Sequence, residues 1–360
     1  MRTKVVLLQS VSAIATLAAT NGQALAQVIQ PATNGYTFNV GGGLLLSPAE
    51  MSLAGLEEDK MGSGFDTDLS DFQDHLGYNA FFSVGKQIDN NWDVRLGGSV
   101  NQLLDSTASL SFSGIVSGSG GSGLSFSSYS LDANGTYNAR SAFGFETMDF
   151  EVGYAPVLTD TTSVRLFAGI RGLHFAGERD THADISGFSS SFYDSGLGSG
   201  SGFNNTYFNV TSDSRMKTEF FGAGPRLGVS AAHRFEGTNF GVSGTVAGSV
   251  LFGQQTTTWS AASTISGTTT YFDSSGGSGS GSIGDTNSSF TDSLSFSSSY
   301  STSKMVVDLE AKAGFDYYLD DSSALTIGYR AEKLLNVGPY DDNDEERLVH
   351  GPFVSLTGGF

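Results

Sequence analysis

Between Lys304 and Leu319 the chain alternates in character without a break. Met305, Val307, Leu309, Ala311, Ala313, Phe315, Tyr317 and Leu319 share one side of an extended strand, and Lys304, Val306, Asp308, Glu310, Lys312, Gly314, Asp316 and Tyr318 share the other. Such a strand has to divide two environments, one apolar and one that accepts ionised groups. The next segment repeats the demand: Leu325, Ile327, Tyr329 and Ala331 oppose Thr326, Gly328, Arg330 and Glu332.

The same period runs through the rest of the chain. Strands are predicted at roughly 34–46, 74–88, 92–104, 142–155, 162–175, 217–233, 239–253, 304–319, 324–336 and 347–360. Each exceeds the 9 to 11 or so residues that a tilted membrane strand needs. Short links at 89–91, 156–161, 234–238 and 320–323 alternate with long ones at 47–73, 105–141, 176–216, 254–303 and 337–346. A soluble sandwich also alternates, but it has no reason to keep its long connections at one end. The expected fold is therefore all-β: a transmembrane antiparallel up-and-down β-barrel of about ten strands, with short periplasmic turns and long Gly/Ser-rich extracellular loops. Aromatics near strand ends, Tyr36, Trp92, Tyr154, Tyr317, Tyr318 and Phe360, fit an interfacial girdle.

Composition agrees where it bears on this. There are 48 Gly, 27 Phe and 13 Tyr, and charged residues make up 15% of the chain, against about 25% in an ordinary soluble domain. Arg2 and Lys4, the mostly apolar stretch to Thr20 and Ala24-Leu25-Ala26 form an export signal, with cleavage expected after Ala26 and a single barrel domain over 27–360. No cysteine is present, so the fold is held by its ladder and not by disulfides. The formal charge of −19 disfavours nucleic-acid binding, which needs clustered Lys and Arg.

The last strand, Arg347 to Phe360, alternates and stops on an aromatic, and this resembles the C-terminal signature of bacterial outer-membrane barrels. Further stretches carry a family likeness: Val164 to Arg171 with His174, Phe221-Gly222-Ala223-Gly224-Pro225-Arg226-Leu227-Gly228, Val307 to Phe315 around Glu310-Ala311-Lys312, and His350-Gly351-Pro352-Phe353. In these the chain resembles the Legionella-type major outer membrane protein family of pore-forming barrels, while 27–140 matches poorly. The resemblance implies a passive channel and surface antigen in the outer membrane of a Gram-negative cell. It also implies that Phe360 serves as the C-terminal assembly signal read by the barrel-assembly machinery. The best-known members carry cysteines that this chain lacks.

The strongest chemical constellation is the polar phase of the strands. Arg95, Asp149, Glu151, Arg165, Arg171 and Arg226 fall in it, as do Asp308, Glu310, Lys312, Arg330 and Glu332, with opposite signs on neighbouring strands. These are the expected pore-lining residues. Two readings stay open: a charged constriction that orders ions in transit, or a salt-bridged plug in a lumen narrow enough to be filled by side chains. Asp180, His182 and Asp184 can be drawn as the cluster of a surface hydrolase, but loop Asp and His are ordinarily solvated. No enzymatic activity and no cofactor or metal is expected. Asp66, Asp68, Asp71 and Asp74 lack the Gly and terminal Glu of a calcium loop, and the glycine tracts lack the Lys of a phosphate loop. The expected function is porin-like diffusion of ions or small hydrophilic solutes with a weak cation preference, among outer-membrane lipids and lipopolysaccharide. The alternative is a plugged barrel that acts as an adhesin through its outer loops on an unknown host or surface ligand.

Overall fold

A computed structural model describes residues 35–47, 65–69, 75–89, 91–122, 125–155, 161–194, 201–274, 284–320, 322–338 and 346–359. The expected signal segment, Asp71, Asp74 and Phe360 lie outside these residues.

The described residues form one 12-stranded antiparallel sheet. Its strands are β1 (Tyr36–Ser47), β2 (Phe65–Leu69), β3 (His75–Gln87), β4 (Trp92–Leu103), β5 (Ser106–Ser122), β6 (Ser125–Tyr154), β7 (Thr162–Asp194), β8 (Ser201–Arg234), β9 (Phe240–Ser274), β10 (Gly284–Tyr318), β11 (Ser323–Leu335) and β12 (Glu346–Gly359). The order β6-β4-β3-β1-β12-β11-β10-β9-β8-β7 closes through a β6–β7 pairing, so ten strands make a ring; β5 and β2 continue from the outer part of β6. Closure pairs every ring strand on both sides, which is what a sheet in hydrocarbon requires.

Side-chain alternation survives closure because the long ladders have no slips. β6 and β7 pair from Tyr154↔Leu166 to Phe126↔Asp194 in one register. Ile170, Phe221, Leu227, Val246 and Phe315 project from the outer face and are 59–73% exposed, as a lipid-facing belt must be. The opposite phase is buried. Tyr318 departs from the girdle expectation: it points inward, is 2% exposed, and lies under the Arg234 guanidinium at 4.7 Å. Trp92 and Tyr154 do sit together on adjacent strand ends, with ring centroids 5.1 Å apart.

Short turns close the inner end. At 89–92 the Asp89 carboxylate accepts from the Asn91 and Trp92 amides at 2.8 and 2.9 Å. The 235–240 turn passes through Gly237 at φ 69°, a conformation that costs a residue with a Cβ.

The outer segments differ from the loop expectation. They are paired: β5 meets β6 as far as Ser122↔Ser125, β7 meets β8 to Asp194↔Ser201, and β9 meets β10 to Gly284↔Asp273. The wall from β5 to β10 therefore stands well above the side made of β11, β12, β1 and β3. Ser, Thr and Gly here form strands because each segment finds its partner in the neighbouring hairpin.

Candidate functional site: a charged layer and an apolar layer across the lumen

Adjacent strands of the ring place opposite charges side by side on the inner face. Arg171 on β7 donates to both carboxylate oxygens of Asp149 on β6 at 2.6 Å, to Glu310 on β10 at 3.0 Å, and to Asp308; Glu332 on β11 lies 3.4 Å away. Arg226 on β8 reaches Glu151 at 3.1 Å and shares Glu310 at 2.8 Å. Lys312 closes on the other Glu310 oxygen at 2.5 Å. Asp308, Glu310, Glu332, Arg171, Arg226 and Arg330 are all buried.

A second knot lies toward the periplasmic side. Arg165 on β7 donates to Glu151 at 2.9 Å and to Asp93 on β4 at 2.6 Å, although β6 runs between β4 and β7. Gly153 of β6 makes the reach feasible. A Cβ built there would lie 2.3 Å from Arg165 Nε, so only glycine leaves room for the guanidinium to cross. Arg95 also turns to Asp93, at 3.5 Å. Among these knots lies a cavity of about 320 Å³, lined by Asn39, Ser83, Thr245 and Ser355 together with Arg165, Arg171, Arg226 and Glu310.

Directly outward of the charges the inner face turns apolar. Leu45, Leu103, Phe143, Phe145, Leu173, Phe175, Phe220, Leu251, Val306, Leu334 and Val349 form one buried cluster with Val337, and every ring strand except β3 contributes to it. Phe175 stacks on Phe220 with centroids 5.2 Å apart at 15°. The lumen is thus crossed twice, by ion pairs and then by hydrocarbon.

All eleven expected lining residues belong to strands in the inward phase, and the network joins them. Ion pairs also form within a single strand: Arg330 meets Glu332 on β11, and Arg95 meets Asp93 on β4. Asp93 was not among the expected residues, although it shares the phase of Arg95. Asp316, which accepts from Ser243 at 3.0 Å and Thr326 at 2.6 Å, was also outside the set, as was the apolar layer. Their signal was phase alone, without the contrast of sign that marks the others.

Above the belt, on the outer face of the wall, His182 is held by Asp213 at 2.7 Å through Nδ1 and by Asp184 at 2.8 Å through Nε2. The Asp213 hydrogen bond, then that of Asp184, raises its pKa. When protonated, the imidazole donates from both nitrogens and forms an ion pair with the two carboxylates. Asp180 faces Arg215 at 3.6 Å. Among the described residues no group of three or more His, Cys, Asp or Glu side chains is arranged to hold a metal ion.

No curated protein matches the chain. Among solved structures it is similar to the outer membrane protease OmpT from Escherichia coli, at 10% identity over 94% of this chain and 99% of that one, with a TM-score of 0.35. It is also similar to the P. putida toluene transporter TodX, at 10% identity over 91% of each chain with a TM-score of 0.24, and to Ail, the attachment invasion locus protein of Yersinia pestis, at 8% identity over 91% of this chain and 100% of that one with a TM-score of 0.25. The family model for the Legionella pneumophila major outer membrane protein precursor matches residues 66–346. Its span covers most of the ring and both lumenal layers, and this outer-membrane β-barrel belongs to the Legionella major outer membrane protein family.

Proposed function

We propose that the protein is a porin-like channel for ions and small hydrophilic solutes, shut at rest in mid-lumen, and exported by a signal cleaved after Ala26. The observation that carries this reading is the incomplete pairing of the charged layer. Arg226 Nη1, Arg330 Nε and Nη1, and Asp308 Oδ1 are buried without a partner among the described residues. Buried polar atoms are satisfied by protein or by water, so these groups call for a hydrated lumen, continuous with the polar cavity that Arg171, Arg226 and Glu310 line. A layer serving only as filling gains by pairing every group or by being apolar. The hydrocarbon layer above is then the barrier, since apolar constrictions close by dewetting. The acidic balance of −19 gives a weak cation preference by concentrating cations at the mouth. Lipopolysaccharide around the belt, and the assembly machinery acting on the terminal strand through Phe360, are the partners this reading carries.

A second reading is favoured by the extent of the apolar layer: a permanently closed barrel that works at the cell surface through its tall wall. Single-channel recording in a planar bilayer under a salt gradient separates the two. Wild-type protein should give rare, small, cation-favouring steps, and Phe175→Ser with Leu251→Ser should raise their frequency by hydrating the barrier. If both proteins insert folded and both stay silent, the channel reading fails and the closed barrel stands.

A further inference from the structure

Among the described residues, the outer half of β10 is a strand with one bare edge. Its ladder with β9 runs unbroken from Tyr317↔Phe240 to Gly284↔Asp273, but β11 accompanies it only from Tyr318↔Ala324 to Val307↔Leu335. Beyond Val306 no described strand lies on that side, and every residue from Thr286 to Ser301 is exposed. Edges of this length are ordinarily blunted by Lys, Pro or a bulge. Between Thr286 and Ser303 there is no Lys, no Pro and no break in register, and Asp292 is the one charged side chain.

The two faces of this edge are unlike each other. Odd positions from Ser289 to Ser303 are all Ser or Thr, while the even ones include Phe290, Leu294, Phe296 and Tyr300. Their spacing is symmetric about Ser295. If a second copy of the strand is laid antiparallel with its two-fold axis at Ser295, Phe290 falls opposite Tyr300 and Leu294 opposite Phe296, all on one face, while Ser and Thr meet Ser on the other. Asp292 falls opposite Ser298. A two-fold at Asp292 itself would set two carboxylates against each other, so the charge selects the aromatic register.

We propose that the outer β10 edge is a homotypic strand-addition site whose occupant is β10 of a second copy of this protein. The contact is isologous, as two-fold interfaces are, and it draws on main-chain hydrogen bonds along the edge with the aromatic face giving register. Antiparallel pairing also fixes orientation. β10 runs from the outer tip toward the periplasmic end, so its partner runs the opposite way and its barrel sits in a membrane facing the first. The site therefore joins two apposed surfaces and not neighbours within one membrane. The acidity of the rest of the chain, −19 in all, opposes close approach and makes the contact stronger as salt screens it.

The experiment uses the full mature chain in liposomes of neutral phosphatidylcholine, with clustering followed by light scattering at several salt concentrations. Wild-type proteoliposomes should cluster with one another, more at high salt, and not with protein-free liposomes. Ser295→Lys places two ammonium groups at the axis and should weaken clustering by about tenfold or more. Ser295→Asp should do the same, and mixing the two variant populations should restore clustering, because the axis then joins opposite charges. Barrel folding in each variant is checked by its electrophoretic shift on heating. Dispersed wild-type vesicles at every salt concentration, clustering with protein-free liposomes, or Ser295→Lys vesicles that cluster like wild type would each overturn the proposal, as would mixed variants that stay apart.

Discussion

Arg171 on β7 and Glu310 on β10 are 139 residues apart in the chain and have two strands between them in the wall, yet their side chains meet at 3.0 Å inside the lumen. Arg171 also serves Asp149 and Asp308. With Glu332 at 3.4 Å, one guanidinium thus holds four carboxylates from three strands and stitches the ring across its own bore. Arg171→Met should cost about 3–5 kcal/mol, the scale for stranding buried partners of a charge, measured by denaturant unfolding in detergent or lipid. Adding Asp308→Asn should restore part of that loss, because the second change removes one of the stranded charges. Equal losses in the single and double variants would mean that the network contributes through packing alone.

Gly153 supplies the space that lets Arg165 pass over β6 to Asp93. A Cβ there meets Arg165 Nε at 2.3 Å and Cζ at 2.7 Å. Gly153→Val should therefore break the Arg165–Asp93 pair and cost about 1–3 kcal/mol, the usual range for overpacking. Asp93→Asn should cost much less in the Gly153→Val background than in the wild type, since the bond is already lost. Additive losses would show that Arg165 reaches Asp93 by some other path.

The sequence was legible wherever two environments differ sharply. On β10, Asp308, Glu310 and Lys312 against Leu309, Ala311 and Ala313 leave one solution for strand and facing, and the ring obeys it. The outer wall was obscure for the opposite reason. Ser295, Ser297 and Ser299 meet water on both sides of the hairpin, so no contrast marks them as strand, and their pairing with Ala262, Ser260 and Thr258 is a non-local property. In the lumen, charge located the ion pairs, but Phe143, Leu173 and Phe175 look like lipid-facing residues until their phase is counted from Arg171.

Phe315 and Ser299 occupy the same face of β10 on opposite sides of the membrane boundary. Phe315 is 73% exposed in the lipid belt, and Ser299 lies in the wall above it. Phe315→Arg should lower unfolding stability in lipid by up to about 2–4 kcal/mol, the cost of a lipid-facing Arg near the midplane. Ser299→Arg should stay within about 0.5 kcal/mol of wild type, as surface changes do. A comparable penalty at both positions would place hydrocarbon much higher on the wall than the exposed apolar belt indicates.

His182 gives the wall a pH dependence whose sign is fixed by its partners. Hydrogen bonds donated to Asp213 first and to Asp184 second raise its pKa above the ordinary value of 6.5. A histidine raised on folding contributes stability that is fully present below its unfolded pKa, near 6.5, and is lost as pH climbs through the folded value. The side chain is exposed, so solvent screens the effect and it is read locally, as hydrogen exchange in the β7–β8 ladder around His182↔Asp213. After correction for intrinsic rates, opening of that ladder should become more frequent as His182 deprotonates, while exchange at Arg171↔Gly224 in the belt should not respond. By NMR titration, Asp213→Asn and Asp184→Asn should each bring the His182 pKa down. A titration unmoved by either substitution would mean that the imidazolium is not clasped between the two carboxylates in solution.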